Sequence, residues 1–115
     1  MSILARGEIL KEIKAGNIEI TPFDKSQVGP ASIDLGLGNE SSMFKRIYRN
    51  ITVDEQASAE REVLEVYFVR DGEYFSLLPN ETVITVTKEG VRLSPNLYGQ
   101  LEGRGRFARL GHLYI

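Results

Sequence analysis

From Ile18 onward the apolar residues of this chain recur in short alternating runs, each cut off by a turn signal. Alternation at period two marks a strand with one buried face, so such a chain closes a core by pairing strands. Ile18 and Ile20 alternate with Glu19 and Thr21 until Pro22 intervenes. After a loop rich in Pro22, Asp24, Ser26, Gly29 and Pro30, the residues Ile33, Leu35 and Leu37 alternate with Ser32, Asp34 and Gly36. This predicts a half-buried strand with Ser32 and Asp34 on its polar face, where fastening a neighbouring strand or a subunit interface is favoured over the alternative, contact with a substrate. Met43, Phe44, Ile47, Tyr48, Ile51 and Val53 add further short strand signals. Residues 63–78 carry two alternating runs around Asp71-Gly72, with Tyr67 and Phe68 before it and Tyr74 and Phe75 after, which predicts a hairpin. Pro79-Asn80 turns the chain into a β-branched strand containing Val83, Ile84 and Val86 among Thr82, Thr85 and Thr87. Val91 and Leu93 lie between the turn signals Glu89-Gly90 and Ser94-Pro95-Asn96, and Leu97, Gly99 and Leu101 alternate beyond them. The exception is residues 4–15, where Ile9, Leu10 and Ile13 share a face among Glu8, Lys11, Glu12 and Lys14. That spacing predicts a short amphipathic helix, ended at Gly16 or Asn17 by a left-handed cap. The whole reads as a mainly β chain, a barrel or jelly-roll-like sandwich with one N-terminal helix and no internal repeat.

Composition narrows the functional classes. A length of 115 residues with 42% hydrophobic residues suits a single domain over 1–115. The absence of cysteine rules out a disulfide framework and favours a reducing, cytoplasmic setting. No apolar run approaches the ~20 residues of a membrane helix, and Arg6, Glu8 and Lys11 interrupt any signal-peptide core. A soluble protein with no membrane partner is expected. A formal net charge of -2 argues against the broad basic footprint of a nucleic-acid binder. Residues 54–65 hold five acids, Asp54, Glu55, Glu60, Glu62 and Glu65, against Arg61. They read as a solvated loop, since their spacing is irregular for a metal site.

Against this mildly acidic background, Arg104, Arg106 and Arg109 fall within six residues, interleaved with Gly103 and Gly105. Glycines let backbone N–H groups approach an anion closely, and guanidinium forks match phosphate oxygens. In an extended segment Arg104 and Arg106 project to one face and Arg109 to the other, so all three converge only if the chain bends, with Gly105 the natural hinge. The residues Arg104, Gly105, Arg106, Phe107, Ala108 and Arg109 are therefore the candidate phosphate-binding segment. A solvated turn whose arginines lie over apolar surface is the alternative.

Residues 30–39, reading P-A-S-I-D-L-G-L-G-N, and residues 100–111, reading Q-L-E-G-R-G-R-F-A-R-L-G, together resemble the deoxycytidine triphosphate (dCTP) deaminase family. This is a branch of the deoxyuridine triphosphatase-like (dUTPase-like) superfamily, whose chains read P-A-S-x-D-L-x-L-G-N and E-G-R-S-S-x-A-R-L-G at a similar separation. The resemblance implies a distorted β-barrel and hydrolytic deamination of dCTP to dUTP. It also implies Mg2+ accompanying the bound triphosphate, a homo-oligomer of the trimeric kind, and Arg104 and Arg109 as phosphate ligands. With no cysteine and His112 as the one histidine, the zinc route of other deaminases is closed, and the family works without zinc.

The chain departs from the family pattern in two respects. Where the family has two serines, this chain has Gly105 and Arg106. The resemblance gives the first serine contacts with both phosphate and the catalytic water, which Gly105 lacks the hydroxyl to make. The family's general acid/base glutamate follows the arginine motif in a run of the character G-x-x-T-L-E, and the sequence ends at Ile115 before that point. The expectation is a carboxyl-terminally truncated domain with impaired catalysis, an open sheet edge and altered assembly. Glu102, beside Arg104, suits an ion pair better than a general base, and His112, with no orienting acid nearby in sequence, suits packing or the surface. No residue is assigned as catalytic. A non-catalytic binding or interaction module derived from the same fold is the competing reading.

Overall fold

The computed structural model describes residues 2–45 and 64–104. Helix α1 spans Arg6–Lys14 and carries the expected apolar face, with Ile9 buried and Leu10 and Ile13 packed beside it. No side chain caps its start. Instead the Arg6 N–H donates to the carbonyl of Pro30 at 2.7 Å and the Arg6 Nη1 donates to the Val28 carbonyl. Its end is the expected left-handed cap: Gly16 sits at φ +81°, Asn17 N–H reaches the Glu12 carbonyl at 2.9 Å and Gly16 N–H the Ile13 carbonyl at 3.1 Å. That double bond pattern satisfies the helix's orphan carbonyls with glycine at the strained position.

Strand β1, Ile18–Thr21, follows at once, with Ile18 and Ile20 buried and Glu19 and Thr21 exposed as the alternation requires. It pairs antiparallel with β5, Gly90–Leu93, in the register Ile18↔Leu93 and Ile20↔Val91. Ile9, Ile18, Ile20 and Val28 form the buried core, and Leu4, Ile33, Leu35, Leu93 and Leu97 pack against it. At roughly 1.5 to 3 kcal/mol per buried side chain, this cluster is what fastens the helix to the small sheet.

The second sheet has the order β3-β2-β4, with β2 at Leu37–Phe44, β3 at Leu64–Phe68 and β4 at Val83–Thr87. The fold is thus mainly β with one N-terminal helix, as expected, in two antiparallel sheets. Among the described residues the sheets stay open and do not close into a barrel. The turn at Pro79-Asn80 is present, with Asn80 at φ 66°, and so is the one at Ser94-Pro95-Asn96, where Leu97 N–H meets the Ser94 carbonyl at 3.0 Å. Ile47, Tyr48, Ile51 and Val53, with most of the acidic stretch, lie outside the described residues.

Two expectations are corrected. The strand read over residues 32–37 begins only at Leu37, and Leu37 itself is 67% exposed instead of facing the core. Residues 29–36 are looped because their backbone groups are satisfied elsewhere: Gly29 N–H by the Ser32 carbonyl at 2.8 Å, Asp34 N–H by the Gln27 carbonyl at 2.8 Å, and Gly36 N–H by the Glu89 carboxylate at 2.9 Å. Only a single bridge, Val28↔Ile33, remains of the ladder there. The Asp71-Gly72 hairpin is the second correction. The turn exists, with Gly72 at φ +84° and Glu73 N–H bonded to the Arg70 carbonyl at 3.0 Å, but residues 73–78 form no strand. Strand β3 spends its ladder on β2 instead, from Phe44↔Leu64 to Glu40↔Phe68. The Tyr67 and Phe75 rings, 6.0 Å apart, still meet across the turn.

Candidate anion-binding site

The site is built on a brace that starts at a short 3-10 turn, Lys25–Gln27. Asp24 caps that turn by accepting from Ser26 N–H at 2.8 Å, and the Gln27 side chain returns the favour by accepting from Asp24 N–H at 2.7 Å. This capping box turns Gln27 inward. Its Nε2 then donates to the Glu89 carboxylate at 2.9 Å and to the Asp34 carbonyl at 3.0 Å. Glu89 is 8% exposed, and its carboxylate also accepts from Gly36 N–H, so a buried charge is held by directed donors. On the far side, Thr87 Oγ1 donates to the Glu89 carbonyl at 2.7 Å and Lys88 N–H to the Gly36 carbonyl at 2.8 Å. Asp34 is thereby fixed at both its backbone N–H and its carbonyl by one residue, Gln27.

From that fixed position the Asp34 Oδ2 accepts a hydrogen bond from Arg104 Nη2, forming an ion pair between two half-exposed side chains. The partners stand 70 positions apart, so the contact joins the early motif to the head of the arginine segment. Among the described residues Asp34 fastens no neighbouring strand; its carboxylate goes to Arg104. A pair this exposed is worth about 0 to 1 kcal/mol, so it orients more than it stabilises.

Of the candidate residues, Arg104 is the one the structure places; Gly105, Arg106, Phe107, Ala108 and Arg109 lie outside the described residues, as does His112. Glu102 is exposed. Reading the sequence missed Gln27 and Glu89. The spacing of Asp24 and Gln27 was a legible capping signature, whereas Glu89 gave no local sign because its partners sit 53 and 62 positions away.

A second ion pair shows what a closed arginine looks like. Arg92 on β5 grips Glu19 on β1 in a bidentate fork, with Nε donating to Oε2 at 3.0 Å and Nη2 to Oε1. The Arg92 hydrogen bond, and then its charge, holds the Glu19 carboxyl below the usual carboxylate range. These two residues, with Thr21, Gly90 and Val91, line a shallow depression whose cation is already answered by a carboxylate. Arg104 meets Asp34 through one nitrogen, leaving the rest of its fork with no partner among the described residues. Among those residues no cluster of three or more His, Cys, Asp or Glu side chains is gathered to hold a metal. Asp34, the carboxylate at this site, is engaged by Arg104, so no residue here is assigned to a resident metal ion.

A dCTP deaminase-like family profile matches residues 3–114. The chain is 40% identical to a dCTP deaminase of Natronomonas pharaonis, over 94% of its own length and 56% of that protein. It is 34% identical to a dUMP-forming dCTP deaminase of Methanobrevibacter smithii, covering 96% of this chain and 58% of the relative. A dUMP-forming dCTP deaminase of Salinispora tropica is 37% identical over 96% of the chain and 57% of its own. The chain thus spans a little over half the length of these curated relatives. With a profile match that runs almost from end to end, and both motifs brought together at Asp34 and Arg104, the chain belongs to the dCTP deaminase-like family.

Proposed function

We propose that this chain binds a deoxynucleoside triphosphate of the dCTP or dUTP kind through residues 104–109, as a protein of deoxyribonucleotide metabolism. The observation that carries this reading is the meeting of Arg104 with Asp34: a cation at the head of a glycine-relieved arginine segment is held on one edge, and its other edge has no partner among the described residues. Arg104 and Arg109 grip the phosphate tail, and magnesium arrives on the triphosphate, whose oxygens and waters supply most of its shell. Arg106 adds a third cation to the segment.

In the reaction for which the relatives are named, water adds at C4 of cytosine and ammonia leaves, giving the uracil nucleotide. We propose that this step is reduced in the present chain, because Gly105 supplies no hydroxyl where the family pattern has serine. The same substitution favours a second reading, a binding module that keeps the phosphate grip without turnover.

Calorimetric titration with dCTP and dUTP in the presence of Mg2+ tests the binding. Heat of binding is expected, and Arg104→Ala should weaken affinity by about ten- to a hundredfold, the worth of a lost charged hydrogen-bond set. Absence of heat, together with indifference to Arg104→Ala, would overturn the proposal. Release of ammonia or pyrophosphate by the purified chain, abolished by Arg109→Ala, would eliminate the non-catalytic reading.

A further inference from the structure

We infer that Asp34 is a positioning residue for Arg104, holding one edge of its guanidinium so that the remaining N–H groups face an incoming triphosphate. The inference rests on the proposed nucleotide binding and names the part of the early motif that serves it. Three observations support it. Asp34 is anchored at both of its backbone groups, with its N–H on the Gln27 carbonyl at 2.8 Å and its carbonyl on Gln27 Nε2 at 3.0 Å. Gln27 is in turn locked by its capping bond to Asp24 N–H at 2.7 Å and by the Glu89 carboxylate at 2.9 Å. The carboxylate that this scaffold presents takes a single nitrogen of Arg104, in contrast to the two that Glu19 takes from Arg92.

Two effects oppose each other. A carboxylate beside the arginine lowers the local positive potential that draws a phosphate. It also removes the rotamer freedom that a long side chain otherwise loses on binding. Both partners are about half exposed, 49% and 48%, so water screens the first effect strongly. Ordering of a rotamer-rich side chain is not screened, and it corresponds to about three- to tenfold in affinity. Orientation therefore wins, and loss of the Asp34 charge should weaken binding.

The experiment is calorimetric titration of dCTP with Mg2+ into the full chain and into Asp34→Asn, Asp34→Glu, Arg104→Ala and the double variant Asp34→Asn with Arg104→Ala. Wild type should bind. Asp34→Asn should weaken binding by about three- to tenfold, Asp34→Glu should recover part of that loss, and in the Arg104→Ala background Asp34→Asn should change nothing further. If wild type binds but Asp34→Asn binds equally or more tightly, the inference fails while the nucleotide-binding proposal stands. If Asp34→Asn weakens binding as much without Arg104 as with it, Asp34 is merely structural and the inference fails again. If wild type gives no binding, both fall together. Should Asp34→Asn not fold, nuclear magnetic resonance of the wild-type Arg104 guanidinium, assigned against Arg104→Lys, serves instead. Separate, slowly exchanging Nη signals in the free protein support the inference, and a single averaged signal overturns it.

Discussion

Glu19 and Asp24 are exposed carboxylates whose pKa values lie below their ordinary positions for different reasons. For Glu19 the main cause is the Arg92 hydrogen bond, followed by the charge of the same residue; for Asp24 it is the backbone N–H of Ser26. In both cases the folded protein holds the proton less tightly than the unfolded chain. Their contribution is therefore present above the ordinary values of 4.5 and 3.8, and it fades as pH falls through the lower folded-state values. Thermal melting followed from about pH 7 to about pH 3 should show a declining midpoint, and Glu19→Gln should make that decline shallower. A Glu19→Gln profile parallel to wild type would show that the β1–β5 ion pair is energetically silent. Asp34 is also a half-exposed partner of an arginine, and a pair so exposed leaves little stability to read in a melt.

The helix and the first strand were legible because their signals are local. The period of Ile9 and Ile13, the left-handed Gly16 and the alternation of Ile18 and Ile20 each need only a few neighbouring residues to be interpreted. Strand β2 was misplaced because alternation at residues 32–37 says nothing about whether a partner ladder exists there. The Gln27 and Glu89 bonds had already taken those backbone groups. Gly38 shows how tightly β2 then meets β4: a Cβ built there would stand 2.9 Å from the Val86 carbonyl oxygen, a backbone atom with little room to retreat. Gly38→Ala should therefore cost about 1 to 3 kcal/mol in denaturant unfolding. Gly7→Ala in α1, where the added methyl meets nothing within 4 Å, should be neutral or stabilise by up to about 1 kcal/mol. Equal effects of the two substitutions would contradict the close β2–β4 approach.

The two sheets differ in how well each is covered. The β1–β5 sheet shelters its isoleucines under α1, whereas one face of the β3-β2-β4 sheet exposes Phe44, Val66, Phe68, Ile84 and Val86, with Phe68 76% exposed. The pairings Ser42↔Val66, Ser42↔Ile84 and Phe44↔Leu64 place these side chains on a common side. We propose that this face, apolar apart from Ser42 and Glu40, is a contact surface between copies of the chain. Light scattering across a concentration series should show mass rising above that of the 12.9 kDa chain, and a monodisperse monomer at high concentration would contradict this. The β class, the N-terminal helix, most turns and the two family motifs could all be read from residue order, because each depends on chemistry spread over a few positions. The partner of β3, the looped path before β2, the Gln27–Glu89 brace and the Asp34–Arg104 pair came only with the folded chain. Each joins groups distant in the sequence, and whether such groups meet depends on how the intervening chain closes, which no local pattern encodes.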